Sequence, residues 1–557
     1  MASDRVYRAR QNGMVRRGHA LGAAFAALLS ASPARALSLD AAGDLRVTGK
    51  VFTQASWRMQ DSDSRGRDCM FTMAPNTTCS GFTFPDTRTG QLIQHRNLLD
   101  AEVFQNVAHW LGAERVWFDT LDYRLRVKYF YEGVYDYGPD GYRNPSHHLQ
   151  PDGMPDVGGQ ENLKTNRHLD TQHNPIWNAY VDVGHGPLWL RVGRQDLSWG
   201  ETDGFRLLDM IEPLDNRFGF PLVEDLDDRR IPLWMVRSVL QVGSSGALSN
   251  LSVEGYWVPG TVDDQEAPVP LPGNPFAPPA PPGNAEIHIP NKNLGNSRGG
   301  GRIVGTLAGV TFSLAHYVTY NDAPSARLAV RALLPQPDTP FLIEFYQQQV
   351  TGGSATFALP FDPYSIVRME IANFWDERVF IPAENANAAQ LVQAFIAGGG
   401  TPVAGALPTR NVLRWMVGLD RNVWLRWLNP NNTFLFSAQY FQTDIIDFSR
   451  QITSPAVSSI AFPTSGPPVT NLVGRKNDEI LFTYLISTLY YHGTISPAVF
   501  GGYDTRGVNV VVPSIAYQFG TNVQLVLKYA VIVGTFANLG LFRDRDQLLL
   551  RVQYNLS

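Results

Sequence analysis

Cysteine is nearly absent from this chain: 557 residues hold only Cys69 and Cys79. They bracket "CMFTMAPNTTC", with no histidine at ligand spacing, so a Cys/His metal site is not indicated. Long apolar runs are missing beyond the first thirty-six residues. Charged residues interrupt every later apolar segment, so a membrane-crossing helix of roughly 20 residues fits nowhere. Enzyme signatures are missing too, with no G-x-S-x-G, H-E-x-x-H, Walker A or paired C-x-x-C. His147 and His148 are adjacent, and chain neighbours rarely chelate one ion together, so they read as a surface loop. No catalytic residue, metal or cofactor is assigned. Charge is also sparse, at 17% of residues and net −5. Six Arg and one Asp fall in residues 1–36, which leaves −10 for the remainder. An acidic chain is a poor polyanion binder, and nucleic acid is excluded as a partner.

What is present begins with a targeting segment. Arg5, Arg8, Arg10, Arg16 and Arg17 precede "ALGAAFAALLSA" and then "PARA". A basic start, a short apolar core and a small-x-small site form a secretory signal peptide. Cleavage is expected after Ala36, giving a signal peptide at 1–36 and a mature chain at 37–557, with Met14 as an alternative start. An exported chain without a spanning helix is either soluble outside the cytoplasm or a barrel in an outer membrane. In an oxidising compartment Cys69 and Cys79 are expected to form a disulfide.

Alternation decides between those two. In "LRVTGKVFTQASW", Leu45, Val47, Gly49, Val51, Ala55 and Trp57 share one face, opposite Arg46, Thr48, Lys50, Gln54 and Ser56. In "LDYRLRVKYFYEGVY", Leu121, Tyr123, Leu125, Val127, Tyr129 and Tyr131 lie opposite Asp122, Arg124, Arg126, Lys128 and Glu132. A period of two is a strand signal. These strands are longer than soluble ones, apolar and aromatic on one face and charged on the other, which is the transmembrane barrel pattern. A lumen position such as Lys128 is expected to tolerate Gln. Short links at 185–187, 492–493 and 520–522 alternate with long ones at 60–95, 137–173, 198–232, 259–299, 377–409 and 445–477. The expected fold is all-β: one transmembrane antiparallel β-barrel of about 18 strands, within a range of about 14 to 18.

Three loops stand out. Residues 267–284 are too rich in proline to join a ladder. Residues 382–400 read as a helix with Ala388, Leu391, Val392, Phe395 and Ile396 on one face, stopped by Gly398–Gly400 and packed on the barrel rim or lying over its entrance. The third, "GRQDLSWGETDGFRLLDMIEPLDNRFGF", carries Glu201, Asp203, Arg206, Asp209, Glu212, Asp215 and Arg217 among large apolar residues. An exposed loop seldom contains so many large side chains. Residues 198–232 are therefore expected to fold into the lumen as a constriction or plug. "EDLDDRR" at 224–230 would extend the charge network. The acids would lie beside Arg206, Arg217, Arg229 and Arg230, facing Arg124, Arg126, Arg368 and Arg414 of the wall.

The segment "GRQDLSWGETDGFRLLDMIEPLD" resembles the signature of an uncharacterised family of proteobacterial outer-membrane β-barrels, a domain of unknown function. The resemblance extends through "SIVRMEIANFWDE", "GLDRNVWLRWLNPNNTFLFSAQYF", "TISPAVFGGYD" and "GLFRDRDQLLLRVQYNL". It implies an outer-membrane barrel that handles hydrophobic compounds or envelope lipids, and it implies no known reaction. Such barrels often end in Phe or Tyr, whereas this sequence ends Tyr554-Asn555-Leu556-Ser557.

The functional expectation is a channel or transporter for small, mainly apolar solutes. The alternative is an envelope-lipid or export conduit working with periplasmic transport proteins. A third alternative is an outer-membrane enzyme whose triad assembles from separate strands. The expected partners are outer-membrane lipid, the barrel-assembly machinery and a small apolar solute or lipid. The disulfide is directly testable: mass spectrometry of protein taken from the outer membrane should show Cys69 joined to Cys79, and finding both thiols free would refute it.

Overall fold

The computed structural model describes residues 37–61, 88–112, 118–143, 175–215, 217, 219, 222–263, 274–275, 285–322, 325–334, 336–338, 341–379, 388–449, 477–534, 543 and 545–556. The signal segment, Cys69, Cys79, His147 and His148 lie outside these residues, as do residues 267–284 apart from Asn274 and Pro275.

Eighteen strands form the wall. In chain order they are β1 Leu45–Arg58, β2 Leu92–Asn106, β3 Thr120–Glu132, β4 Ile176–His185, β5 Leu188–Gln195 and β6 Leu233–Ser245. Next come β7 Leu248–Val258, β8 Arg298–Leu307, β9 Val310–Tyr320, β10 Gln347–Leu359, β11 Asp362–Arg378 and β12 Thr409–Val423. The last six are β13 Phe434–Ile445, β14 Asp478–Ser487, β15 Ile495–Asp504, β16 Val508–Phe519, β17 Val523–Gly534 and β18 Gln547–Leu556. Each pairs antiparallel with its neighbour. β1 pairs with β18 from Gly49–Leu556 to Arg58–Gln547, which closes the cylinder. Closure leaves no strand edge, the condition for a sheet to stand in hydrocarbon.

The side-chain alternation has its expected sense. On β3, Tyr129 is 47% exposed on the outer face while Lys128 is 3% exposed in the lumen. On β1, Val51 faces out while Phe52, Gln54, Ser56 and Arg58 are buried inside. Phe52 is the apolar exception on the lumen side, and both Lys50 and Arg551 stack on its ring.

The tightest turns lie at one rim, at 186–187, 246–247, 308–309, 360–361 and 520–522. The other rim carries the long connections, except for 505–507, which links β15 to β16. Short periplasmic turns and long outer loops are the orientation rule for such barrels. A long connection that the spacing did not show, 321–346, builds a small outer sheet. There Ser325–Val330 pairs with Phe341–Glu344 and Val403–Ala404, and Phe341–Glu344 also pairs parallel with Ala285–His288. The helix Ala388–Ala397 packs on that sheet, burying Leu391 and Phe395 against Val330. It therefore sits on outer-loop structure where the sequence suggested the rim, and Ile396, assigned to its apolar face, is 59% exposed.

The orientation of β3 is testable. Val127→Arg on the lipid face should destabilise the barrel by roughly 2–4 kcal/mol, whereas Arg124→Gln in the lumen should cost far less, as read from urea unfolding in lipid vesicles. Equal costs would place β3 in a different register.

Candidate functional site: the inward-folded loop

β5 ends at Gln195 and β6 starts at Leu233, and residues 196–232 cross the lumen between them. Apolar packing seats the first half of this loop. Leu197, Trp199, Leu207, Leu208 and Ile211 are buried in one cluster with the inward side chains Met235, Tyr256, Tyr317, Val350, Phe374 and Met416. The ring of Trp199 meets Tyr256 and Tyr317 edge-on, at 5.2 and 5.7 Å between centroids. The second half has its own anchor: Leu222 and Val223 join inward residues of β15 to β18, among them Phe500, Val510 and Ile532. A loop with this many buried apolar contacts has a defined position.

Polar groups fix its register. On one side Glu370 of β11 accepts the backbone N–H groups of Glu201, at 2.6 Å, and of Leu208. Tyr317 and Thr319 of β9 donate to the carbonyls of Leu208 and Ile211, at 2.7 and 3.0 Å. Arg368 binds Asp203 and donates to the Glu201 carbonyl at 2.5 Å. Across the lumen the contacts are of this last kind, loop acids meeting wall cations. Asp225 lies 3.1 Å from Lys528 and 2.6 Å from Arg551. Asp228 lies 3.1 Å from Lys128 and 3.6 Å from Lys50, and Glu224 lies 3.2 Å from Arg96. The loop thus bridges opposite walls.

Within the loop, Arg230 is the hub. It binds Asp209 at 2.5 Å and Glu212 at 2.9 Å. Arg206 reaches Asp322 at 2.7 Å and the Glu212 carbonyl at 2.6 Å. Arg217 chelates Asp215, and Arg229 donates to the Asp215 carbonyl at 3.4 Å. Burial opposes ionisation of Asp209, but the charge and hydrogen bond of Arg230, aided by Arg206, outweigh it and hold the carboxyl at about 2. Glu212 goes the other way: burial, reinforced by Asp209 and Asp196, prevails over Arg230 and pushes it up to about 7. Burial likewise raises Glu201 against the pull of Arg368 and Arg302.

Two expectations need correcting. Arg124, Arg126 and Arg414 line the lumen but make their direct ion pairs elsewhere than with the loop's acids, although Asp228 acts on Arg126 at longer range. They pair along the wall instead, Arg124 with Glu102 at 3.2 Å, Arg126 with Asp100 at 2.6 Å and Arg414 with Glu377 at 2.5 Å. Neighbouring strands offer a carboxylate within a few ångströms, nearer than the loop can reach. Lys128 is not a freely exchangeable lumen position, because it is buried and anchors Asp228. Sequence reasoning missed Glu370, Lys528, Arg551, Arg96 and Asp322. Glu370 was within reach, since it stands two residues from Arg368 on the same face of an alternating strand.

Most of the loop is buried, but residues 200–206 are partly exposed throughout. They include Glu201 and Phe205, whereas the side chains of Asp203 and Arg206, held by Arg368 and Asp322, are only 14% and 6% exposed. Gly204 adopts φ +75°, which favours glycine, and passes close to the ring of Phe500. Phe205 meets Phe441 edge-on at 5.9 Å. Among the described residues no group of three His, Cys, Asp or Glu side chains could hold a metal ion.

A closed, eighteen-stranded antiparallel wall around a docked internal loop defines a porin-like outer-membrane β-barrel. The chain belongs to the family described as protein of unknown function DUF1302, whose model matches residues 17–556. No curated protein matches it. Among solved structures it is similar to Pseudomonas aeruginosa OccK9 (OpdG), with 9% identity, a TM-score of 0.42 and coverage of 92% of this chain and 97% of that one. It is also similar to Salmonella typhi OmpF in complex with daunomycin, with 8% identity, a TM-score of 0.34 and coverage of 92% and 97%. A third is the Escherichia coli capsule-assembly protein Wzi, a carbohydrate-binding barrel, with 8% identity, a TM-score of 0.38 and coverage of 91% and 83%.

The two carboxyls give docking of the loop a defined pH dependence. The docked loop binds the Glu212 proton more tightly than an exposed glutamate of ordinary value 4.5, so docking weakens as pH rises from there to about 7. Asp209 has the opposite sign: its contribution is present above 3.8 and is lost as pH falls towards about 2. Hydrogen exchange of residues 197–215, corrected for intrinsic rates, should therefore be slowest between pH 3.8 and 4.5 and faster at neutral pH. Glu212→Gln should flatten the neutral limb. An unchanged limb in that variant would assign the dependence to another group.

Proposed function

We propose that this protein is an outer-membrane channel for small, mainly apolar solutes, and that residues 200–206 of the inward-folded loop set what passes. The observation that carries this reading is the contrast within the loop. Residues 207–215 are packed away almost throughout and 222–232 are packed away except at Asp225–Asp227, while 200–206 are partly exposed without interruption. Phe205, with Phe441 and Phe500 nearby, offers apolar contact. Glu201 supplies a carboxylate influenced by Arg302 and Arg368. Pore-lining charges and apolar constrictions together set selectivity in a channel. The reading is of a conduit without catalysis.

Deleting 202–218 should enlarge single-channel conductance, by roughly twofold or more, because it removes the segment that narrows the path. Phe205→Ala should give a smaller increase and lower the preference for an apolar solute over a sugar of similar size. Glu201→Gln should shift ion selectivity towards anions. Deletion protein that inserts normally yet conducts no more than the parent would show that this segment does not limit permeation.

A further inference from the structure

Between the short-turn rim and the inward loop, arginines and aromatic rings alternate along the lumen face of strands β1 to β8. Arg46 of β1 stands over the ring of Phe104 on β2, at 4.6 Å. Arg124 of β3 lies 5.9 Å from Phe104 and 5.9 Å from Tyr180 on β4. Arg191 of β5 stacks on Tyr180 at 3.8 Å and lies 5.0 Å from Trp189, which Arg237 of β6 approaches at 5.3 Å. Glu254 of β7 joins Arg237 to Arg302 of β8, accepting from the Nε of each, at 2.6 and 2.7 Å. Arg302 ends the row 5.2 Å from the ring of Trp199 in the loop. These distances are within the reach of cation–π attraction, about 6 Å. Register produces the row: Arg46 opposes Phe104, Phe104 opposes Arg124, Arg124 opposes Tyr180, Arg191 opposes Arg237 and Glu254 opposes Arg302. Directly opposed residues share a face, here the inward one.

Most of these arginines are held from one side. A guanidinium has several N–H donors in a fixed fork. Glu102 lies 3.2 Å from the Nε of Arg124, and Glu254 takes the Nε of Arg302. Only Arg191 is chelated by a single carboxylate, that of Asp182. The terminal nitrogens of Arg46, Arg124 and Arg302 have no hydrogen-bond partner among the described residues. The side chains of Arg124 and Arg302 are 41% and 19% exposed, and Arg46 is exposed. Phe104 and Trp189 are partly exposed beside them. Donor edges thus border the lumen next to apolar ring surface.

We propose that this row is a binding path for organic monocarboxylates, the carboxylate meeting the terminal N–H groups of Arg124 and Arg302 in turn while the apolar body lies on the neighbouring rings. It rests on the channel reading above and names the solute: an apolar body with one carboxylate head. A carboxylate accepts two parallel N–H bonds from a guanidinium edge. One negative charge suits the row better than two, because Glu102 and Glu254 already stand against these arginines and repel a dianion more strongly. The row also has a direction. Arg46 opens it near the short-turn rim, and Arg302 brings it to Trp199, next to the partly exposed residues 200–206.

Full-length protein in planar bilayers at about pH 8, where a carboxylate is ionised, tests this with benzoate as the probe. Benzoate should reduce the single-channel chloride current saturably, with a half-blocking concentration about tenfold below those of benzyl alcohol and inorganic phosphate. Arg124→Gln combined with Arg302→Gln should weaken the block by about tenfold, whereas Arg414→Gln, at a lumen arginine outside the row, should leave it unchanged. Arg124→Lys combined with Arg302→Lys should weaken it too, since an ammonium keeps the charge but loses the paired N–H edge. Heat-modifiable migration on gels checks folding, and if a double variant fails to fold, Arg124→Gln alone carries the comparison. A chloride current that benzoate leaves untouched, or that benzyl alcohol or phosphate blocks equally well, would overturn the inference while the channel reading stands. So would an equal loss of block in Arg414→Gln, or full block in the lysine variant. Folded, inserted protein that carries no current would remove both.

Discussion

Everything in this structure depends on one pairing, that of β1 with β18. In hydrocarbon each backbone N–H and C=O must find its partner within the protein, since water is absent and an unmet group costs several kcal/mol. Seventeen of the wall's strand pairings join neighbours in sequence, but the eighteenth joins Leu45–Arg58 to Gln547–Leu556 across the whole chain. Until it forms, two full strand edges are open to any other strand. Once it forms, the wall has an inside and an outside, and every side chain is assigned to one of them.

That assignment creates the lumen's problem. Eighteen strands enclose a space too wide for wall side chains alone to fill. The loop between β5 and β6 fills part of it by two means. Its apolar residues find inward-facing apolar patches, Met235, Tyr317, Val350 and Phe374 on one side and Val510 and Ile532 on the other. Its charges then meet wall groups of opposite character, with Glu370 receiving backbone N–H groups and Lys128, Lys528 and Arg551 receiving acids. Removing either member of such a pair in a partly dehydrated lumen leaves an unmet charge, which is costlier than at a free surface. The internal triad of Arg230, Asp209 and Glu212 carries the same risk within the loop itself.

The outer face obeys a simpler rule, apolar side chains against lipid, and the arginines of β5 are kept from it. Arg191 faces the lumen and pairs bidentately with Asp182, and Arg194 is buried, donating to the Pro232 carbonyl.

The sequence by itself determined the fold class, the strand faces and the loop to watch. Alternation with a period of two is a local property: a strand in a wall between lipid and water must carry it, so it is written into each segment. The crowding of large apolar residues with Glu201 to Arg217 was legible for the same reason, since an exposed loop has no use for them. Only the tertiary structure decided the partners. Whether Arg126 answers Asp100 or a loop acid, and whether Lys128 is a spare lumen charge or the anchor of Asp228, depends on distances set by barrel closure and strand stagger. Glu370 and Arg551 lie far from the loop in sequence and touch it only because eighteen strands bend into one cylinder. The outer sheet under Ala388–Ala397 likewise joins connections from three parts of the chain. Pattern records what a residue must face, and contact across the lumen requires the closed geometry.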